Sequence, residues 1–154
     1  MSFSFKLATL LYSVCMLLPA AAQAQFARAE DAIEYRNGAF FVMDYHYDRI
    51  GDMVKGKIPY DKAVAESDAA IIETLGKLPW HAFTPNSMTE NSRAKEEIWQ
   101  QKDKFKAAAD KMQAETTKLV AASKTGDFTK LKTAFLATSQ TCKECHDTFR
   151  KKKK

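Results

Sequence analysis

The stretch "FTKLKTAFLATSQTCKECHDTFRKKKK", Phe128 to Lys154, closes the chain. Within it Phe128, Leu131, Phe135, Thr138, Cys142, Cys145 and Phe149 recur at spacings of three and four, the periodicity of one helix face. That face predicts a helix with Cys142 and Cys145 one turn apart on its buried side and His146 beside the second cysteine. Eight residues follow His146, so any further group that completes a C-x-x-C-H site is expected from upstream.

Working outward, the same signal appears three more times. Between Glu30 and Val54 the positions Ile33, Arg36, Phe40, Met43, Tyr47, Ile50 and Val54 form a stripe, with Arg36 intruding on it. "KGKIPYD" then breaks the helix through Gly56 and Pro59 and offers Asp61 as the next N-cap. A second helix is predicted from about Asp61 to Leu78, with Val64, Asp68, Ile71, Leu75 and Leu78 as its stripe. "LPWHAFTPNSMTENS" is too long for a tight turn and reads as a crossing loop packed through Trp80 and Phe83. A third helix is predicted from near Ala94, with Ile98, Phe105, Met112 and Leu119 every seven residues. It stops at "SKTGD", where Gly126 suits the C-terminal cap and Asp127 the next N-cap. Four amphipathic helices and no strand alternation predict an all-α fold, an antiparallel four-helix bundle, with another helical topology left open by the pattern.

The N-terminus sets the compartment. "MSFSFKLATLLYSVCMLLPAAAQAQ" has Lys6, an apolar run from Leu7 to Leu18 and the small-residue site Ala22-Gln23-Ala24. It reads as a secretory signal peptide over residues 1–24, cut after Ala24. A membrane anchor is the competing reading, but the run is shorter than the roughly 20 residues a bilayer needs. Val14 before Cys15 is not small, so Cys15 is expected to leave with the signal and not to carry lipid. Residues 25–154 then form one exported domain. Without Lys6 its 23 basic residues stand against 19 acidic ones, a net charge of +4. Acids are mixed through every segment, which argues against a nucleic-acid partner.

Both cysteines of the mature chain lie in C-x-x-C-H. Zinc needs four ligands, and this chain adds only His46 and His81 at a distance. A redox dithiol belongs to a βαβ context that the helical pattern lacks. A disulfide across one helical turn closes too small a loop to stabilise much. Covalent haem attachment uses every group: two thiols for the vinyl groups and His146 for the iron, outside the cytoplasm.

Several segments carry a resemblance to a known family. "FARAEDAIEYRNGAFFVM", "VKGKIPYD", "LPWHAF", "EEIW" and "CKECHDTFRKKK" together resemble cytochrome c′, the high-spin branch of the class II c-type cytochromes. The resemblance implies one covalent haem c per chain on Cys142 and Cys145, with His146 as the iron's proximal ligand. It places Arg36 and Asn37 at the haem edge, Ser92 near a polar haem contact and Arg150 beside the proximal ligand. An arginine on an apolar stripe fits an anionic partner such as a propionate, or else snorkels to the bundle end. Arg150 is equally readable as the start of the basic tail. Phe40 occupies the position where low-spin relatives carry a ligating methionine, which implies five-coordinate, high-spin iron, although an ordinary core aromatic reads the same way. Met43, one turn on, reads as packing, as do Trp80 and Trp99; His46 and His81 read as surface or hydrogen-bonded residues.

Two functions follow from the resemblance: periplasmic electron transfer with redox partners, or binding of diatomic gases, nitric oxide and carbon monoxide. No paired carboxylates, Ser-His-Asp series or phosphate loop argue for an enzyme. A homodimer through the first two helices is the family's common assembly.

Overall fold

The structure, a computed structural model, describes residues 26–152; the signal segment, its cleavage site, Cys15 and the last two lysines lie outside them. Five helices follow in order: α1 Ala29–Val54, α2 Lys62–Leu75, α3 Glu97–Gln100, α4 Lys102–Lys124 and α5 Phe128–Phe149. The four long ones form a four-helix bundle in which α1 packs on α2, α2 on α4 and α4 on α5. No helix among the described residues is long and apolar enough to cross a membrane.

The turns follow from local chemistry. Gly56 and Gly126 adopt φ of +71° and +72°, a left-handed conformation that costs glycine little and other residues more. Asp61 accepts from the Val64 amide at 3.0 Å, and Asp127 from the Thr129 and Lys130 amides at 2.8 and 3.1 Å. Each aspartate thus satisfies amides that the first helical turn leaves without partners.

Three expectations need correction. The second helix ends at Leu75, not Leu78. Its last turn tightens, Lys77 and Leu78 donating to the carbonyls three residues back, and Pro79 has no N–H with which to continue. The buried residues of α2 are Ala65, Asp68, Ala69 and Ile72, so its stripe is rotated from the expected one: small alanines let α1 approach. The third helix does not begin at Ala94. Residues 93–95 pair with the chain end instead: Lys95 N donates to Phe149 O at 3.0 Å and Lys151 N to Arg93 O at 2.8 Å. The helix then starts at Glu97, breaks at Gln101 and resumes as α4.

The main core is Ile50, Met53, Ala65, Ala69, Ile72, Leu119, Leu131 and Phe135. Asp68, fully buried, bonds Arg49 and His46 and so ties α2 to α1. At the opposite end α2 has stopped, and residues 76–96 cross the bundle in two short 3₁₀ turns, Pro79–Ala82 and Pro85–Ser87.

Candidate functional site: a thiol and imidazole cavity

Near the C-terminal end of α2, whose Ile72 reaches its wall, α1, α4 and α5 enclose a cavity of about 450 Å³, within the range of cofactor pockets. Along α5 its wall carries Cys142, Cys145, His146 and Arg150; along α1 it carries Arg36, Asn37, Phe40, Met43, Asp44 and Tyr47. The crossing loop adds Ser92, Arg93, Trp80 and Phe83. All eight sequence-predicted site residues, Cys142, Cys145, His146, Arg36, Asn37, Phe40, Ser92 and Arg150, therefore meet around one space.

Burial decides the protonation states along the α5 wall. Both cysteines are free. Burial pushes the Cys145 thiol up to about 11, with the Cys142 sulfur adding to it, and burial raises Cys142 as well. His146 is pushed down to about 4 by burial and then by the Arg150 and Arg93 guanidinium groups. Its imidazole is neutral at neutral pH, the form that ligates a metal.

Arg36 does not snorkel: it is 3 % exposed. Its Nη1 donates to Ala82 O and Ser87 Oγ, both at 2.7 Å, and its Nη2 to Ser87 O at 3.0 Å and Ser92 Oγ at 2.7 Å. The group lies 4.7 Å from the centre of the Phe83 ring, and burial lowers it to about 10. Among the described residues no carboxylate pairs with it and its Nε–H has no acceptor. A buried cation with one donor to spare, on the wall of a cavity, fits the carboxylate of a porphyrin.

Phe40 is half-buried on the α1 wall of the cavity and packs edge-on against Trp80 at 6.0 Å. Asn37 and Arg150 are exposed at the cavity mouth. His46 bonds Asp68 at 2.7 Å, and His81 stacks on Phe26 at 5.5 Å. The two Trp side chains donate to carbonyls, Trp80 to Gly76 O at 2.7 Å and Trp99 to Phe83 O and Thr84 O at 3.1 Å. Both tryptophans brace the loop.

Sequence reasoning missed Asp44, Ser87 and Arg93. Asp44 lies one turn after Phe40, so the α1 spacing carried a signal for it. Ser87 and Arg93 reach the site through the folded loop, and no local pattern announces them.

A helical bundle that turns C-x-x-C-H into a cavity is a c-type cytochrome of the bundle class. Residues 31–150 match the family model Cytochrome C′, and the chain belongs to that family, whose prosthetic group is covalent haem c with iron. It is 45 % identical over 129 residues to cytochrome c′ from Rubrivivax gelatinosus, covering 83 % of this chain and all of the relative. It is 43 % identical to cytochrome c′ from Alcaligenes xylosoxydans xylosoxydans, covering 84 % and 100 %. The Rubrivivax gelatinosus crystal structure superposes with a TM-score of 0.79 at 44 % identity, over 82 % of this chain and 100 % of the other. A nitric oxide complex of a mutant cytochrome c′ from Alcaligenes xylosoxidans superposes at 0.78 with 41 % identity, over 84 % and 100 %.

Proposed function

We propose that this protein is a periplasmic electron carrier whose haem iron is five-coordinate and high-spin. The observation that carries the reading is that His146 from α5 and Phe40 from α1 line one cavity. Haem, when bound, would supply a one-electron couple and an open coordination position. The protein would supply the rest: Cys142 and Cys145 would hold the group covalently through their sulfurs, and His146 would offer the iron a neutral imidazole. Arg36, held by Ser87 and Ser92, would offer its remaining Nε–H to a propionate, while Asn37 and Arg150 flank the mouth. Phe40 lines the same cavity and would keep water and protein ligands from the iron, since a phenyl ring has no donor for it.

A second reading, binding of nitric oxide or carbon monoxide, is favoured by the nitric oxide complexes among its structural relatives. It uses the same open position. In both readings the protein binds or transfers without catalytic turnover. Export by cleavage after Ala24 places it in the periplasm. A homodimer through α1 and α2 suits the outward Phe41 and Tyr45, 76 % and 64 % exposed and one turn apart.

The absorption spectrum tests the iron's state: high-spin and five-coordinate when ferric, and turned toward low spin by Phe40→Met. Phe40→Ala removes a ring that a gas must displace. Displacement of a packed ring costs on the order of 1–3 kcal/mol, so carbon monoxide affinity should rise roughly tenfold to a hundredfold. Unchanged spectra and affinities in both variants would transfer the role to Met43. Fast electron exchange with indifference to gas selects the carrier; tight nitric oxide binding with slow exchange selects the binder.

A further inference from the structure

The middle of the crossing segment, residues 82–92, hangs on one charged group. Arg36 gathers Ala82 O, Ser87 Oγ, Ser87 O and Ser92 Oγ through its two Nη atoms, and Ser92 Oγ also accepts from the Ala94 amide at 3.1 Å. The two ends of the segment are held by neutral bonds instead. At one end Leu78 N donates to Leu75 O and Trp80 Nε1 to Gly76 O. At the other, Lys95 N donates to Phe149 O and Lys151 N to Arg93 O. Between them the Thr84 and Thr89 hydroxyls are buried without a partner among the described residues. The middle is thus the poorly satisfied part of the segment.

A neutral donor would brace such a segment at lower cost, as the two tryptophans do. All four bonds from Arg36 end on neutral oxygens, which satisfy its N–H groups and leave its charge uncancelled. Burial lowers the group only to about 10, so the charge persists at neutral pH, and a buried charge without a counter-charge is costly. The cavity lining does not supply one. Arg93 and Arg150 are further cations, and Asp44 is the one acid among the lining residues. Asp44 lies two turns further along α1, about 12 Å away at 1.5 Å per residue. Two outcomes relieve Arg36: residues 82–92 lift and water reaches it, or an anion arrives at the Nε–H that remains.

We infer that residues 82–92 form a strap whose closure is fastened by a porphyrin carboxylate at Arg36, an inference that rests on the haem assignment above. The carboxylate supplies the counter-charge that Ala82, Ser87 and Ser92 lack, so loading of the cavity and closing of the strap favour each other. Because the ends of the segment are held by neutral bonds, the coupling is confined to its middle.

The test uses the full chain with Cys142→Ala and Cys145→Ala, loaded in turn with ferric haem and with its dimethyl ester, which has nearly the same shape and no free carboxylate. Amide hydrogen exchange reads the strap at Phe83, Ser87 and Ser92, whose amides donate to carbonyls three residues back, against Leu78 and Lys95 at the held ends. Haem should slow the three strap amides about tenfold more than the ester does, the low end for a hydrogen bond to a charged group, and the two end amides less than about twofold more. Adding Arg36→Gln, which keeps a donor and removes the charge, should abolish that difference. Equal protection by haem and ester, or a difference that survives Arg36→Gln or spreads to Lys95, overturns the strap and leaves the haem assignment standing. The covalent holoprotein gives a reading that does not depend on the cysteine variant. There Arg36→Gln should speed exchange at the same three amides about tenfold and spare Leu78 and Lys95; an unchanged strap overturns the inference. Zinc in the native protein, or haem that extracts from it freely, overturns the haem assignment and the strap with it.

Discussion

At one end of the bundle Ile50, Met53, Ala65, Leu119, Leu131 and Phe135 close on one another; at the other, the same stripes of α1 and α5 carry Arg36, Phe40, Cys142 and Cys145 around a cavity. The difference lies in the length of α2. Its 14 residues span about 21 Å, whereas the 26 of α1 span about 39 Å, at 1.5 Å per residue. Where α2 is present, Ala65 and Ala69 let α1 lie close, and Gly51 leaves room for the Phe135 ring, which would come within 3.0 Å of a Cβ there. Where it is absent, a loop hung on Arg36 replaces it and the space stays open. One fold thereby makes a core and a cofactor pocket out of a single helical period.

The largest effect should come from emptying the open end. Cys142→Ala with Cys145→Ala should turn a haem that resists acid extraction into one that is fully extractable, read by absorbance of the protein after extraction. Zinc in the native protein, or haem that extracts from it freely, would break the assignment of that end. The packed end answers differently. Leu131→Ala should cost about 2–5 kcal/mol in chemical denaturation, since the residue is fully buried and its neighbours can only partly collapse. The absorption spectrum should not change, because Leu131 lies more than two turns from Cys142. A spectral shift in Leu131→Ala would mean that the two ends are not separable.

Legibility in the sequence divides along the same line. The stripes of α1 and α5 were readable because a continuous helix repeats its contacts every turn, and the thiols and imidazole sit on one such stripe. Arg36 was readable as an anomaly for the same reason. The crossing loop was not readable, because its path depends on hydrogen bonds from Arg36 to residues 46 to 56 positions away. The start of the third helix was misplaced because Ala94 pairs with Arg150 from the other end of the chain. In α2 the alanines that bury carry too little apolar surface to dominate a hydrophobic pattern, so Val64 and Leu75 were read as the stripe. Asp68 was on the expected stripe, but nothing local signalled that Arg49 and His46 would hold it.

The smallest effect sharpens the boundary between the ends. Asp44 lies on α1 one turn beyond Phe40 and lines the mouth of the cavity. Burial raises its carboxyl above the ordinary 3.8, the Asp48 carboxylate raises it further, and Arg150 across the mouth opposes both. Cys142 on α5, raised first by burial, also feels the Asp44 carboxylate and the Arg150 guanidinium. A carboxyl whose folded value is raised holds a proton that the unfolded chain has already lost. Its contribution to stability is full below 3.8 and is lost as pH rises through the raised value. Unfolding midpoints of the wild type should therefore carry a small decline with rising pH in that window, superimposed on the opposite trend of Asp31, Glu144 and Asp147, whose cationic partners hold them below their usual range. Asp44→Asn should remove the decline and leave the rest of the profile unchanged. Asp52→Asn, at the packed end, is the control and should leave the decline in place. If Asp52→Asn abolishes it instead, the pH response belongs to the packed end and the mouth carboxylate plays no part in it.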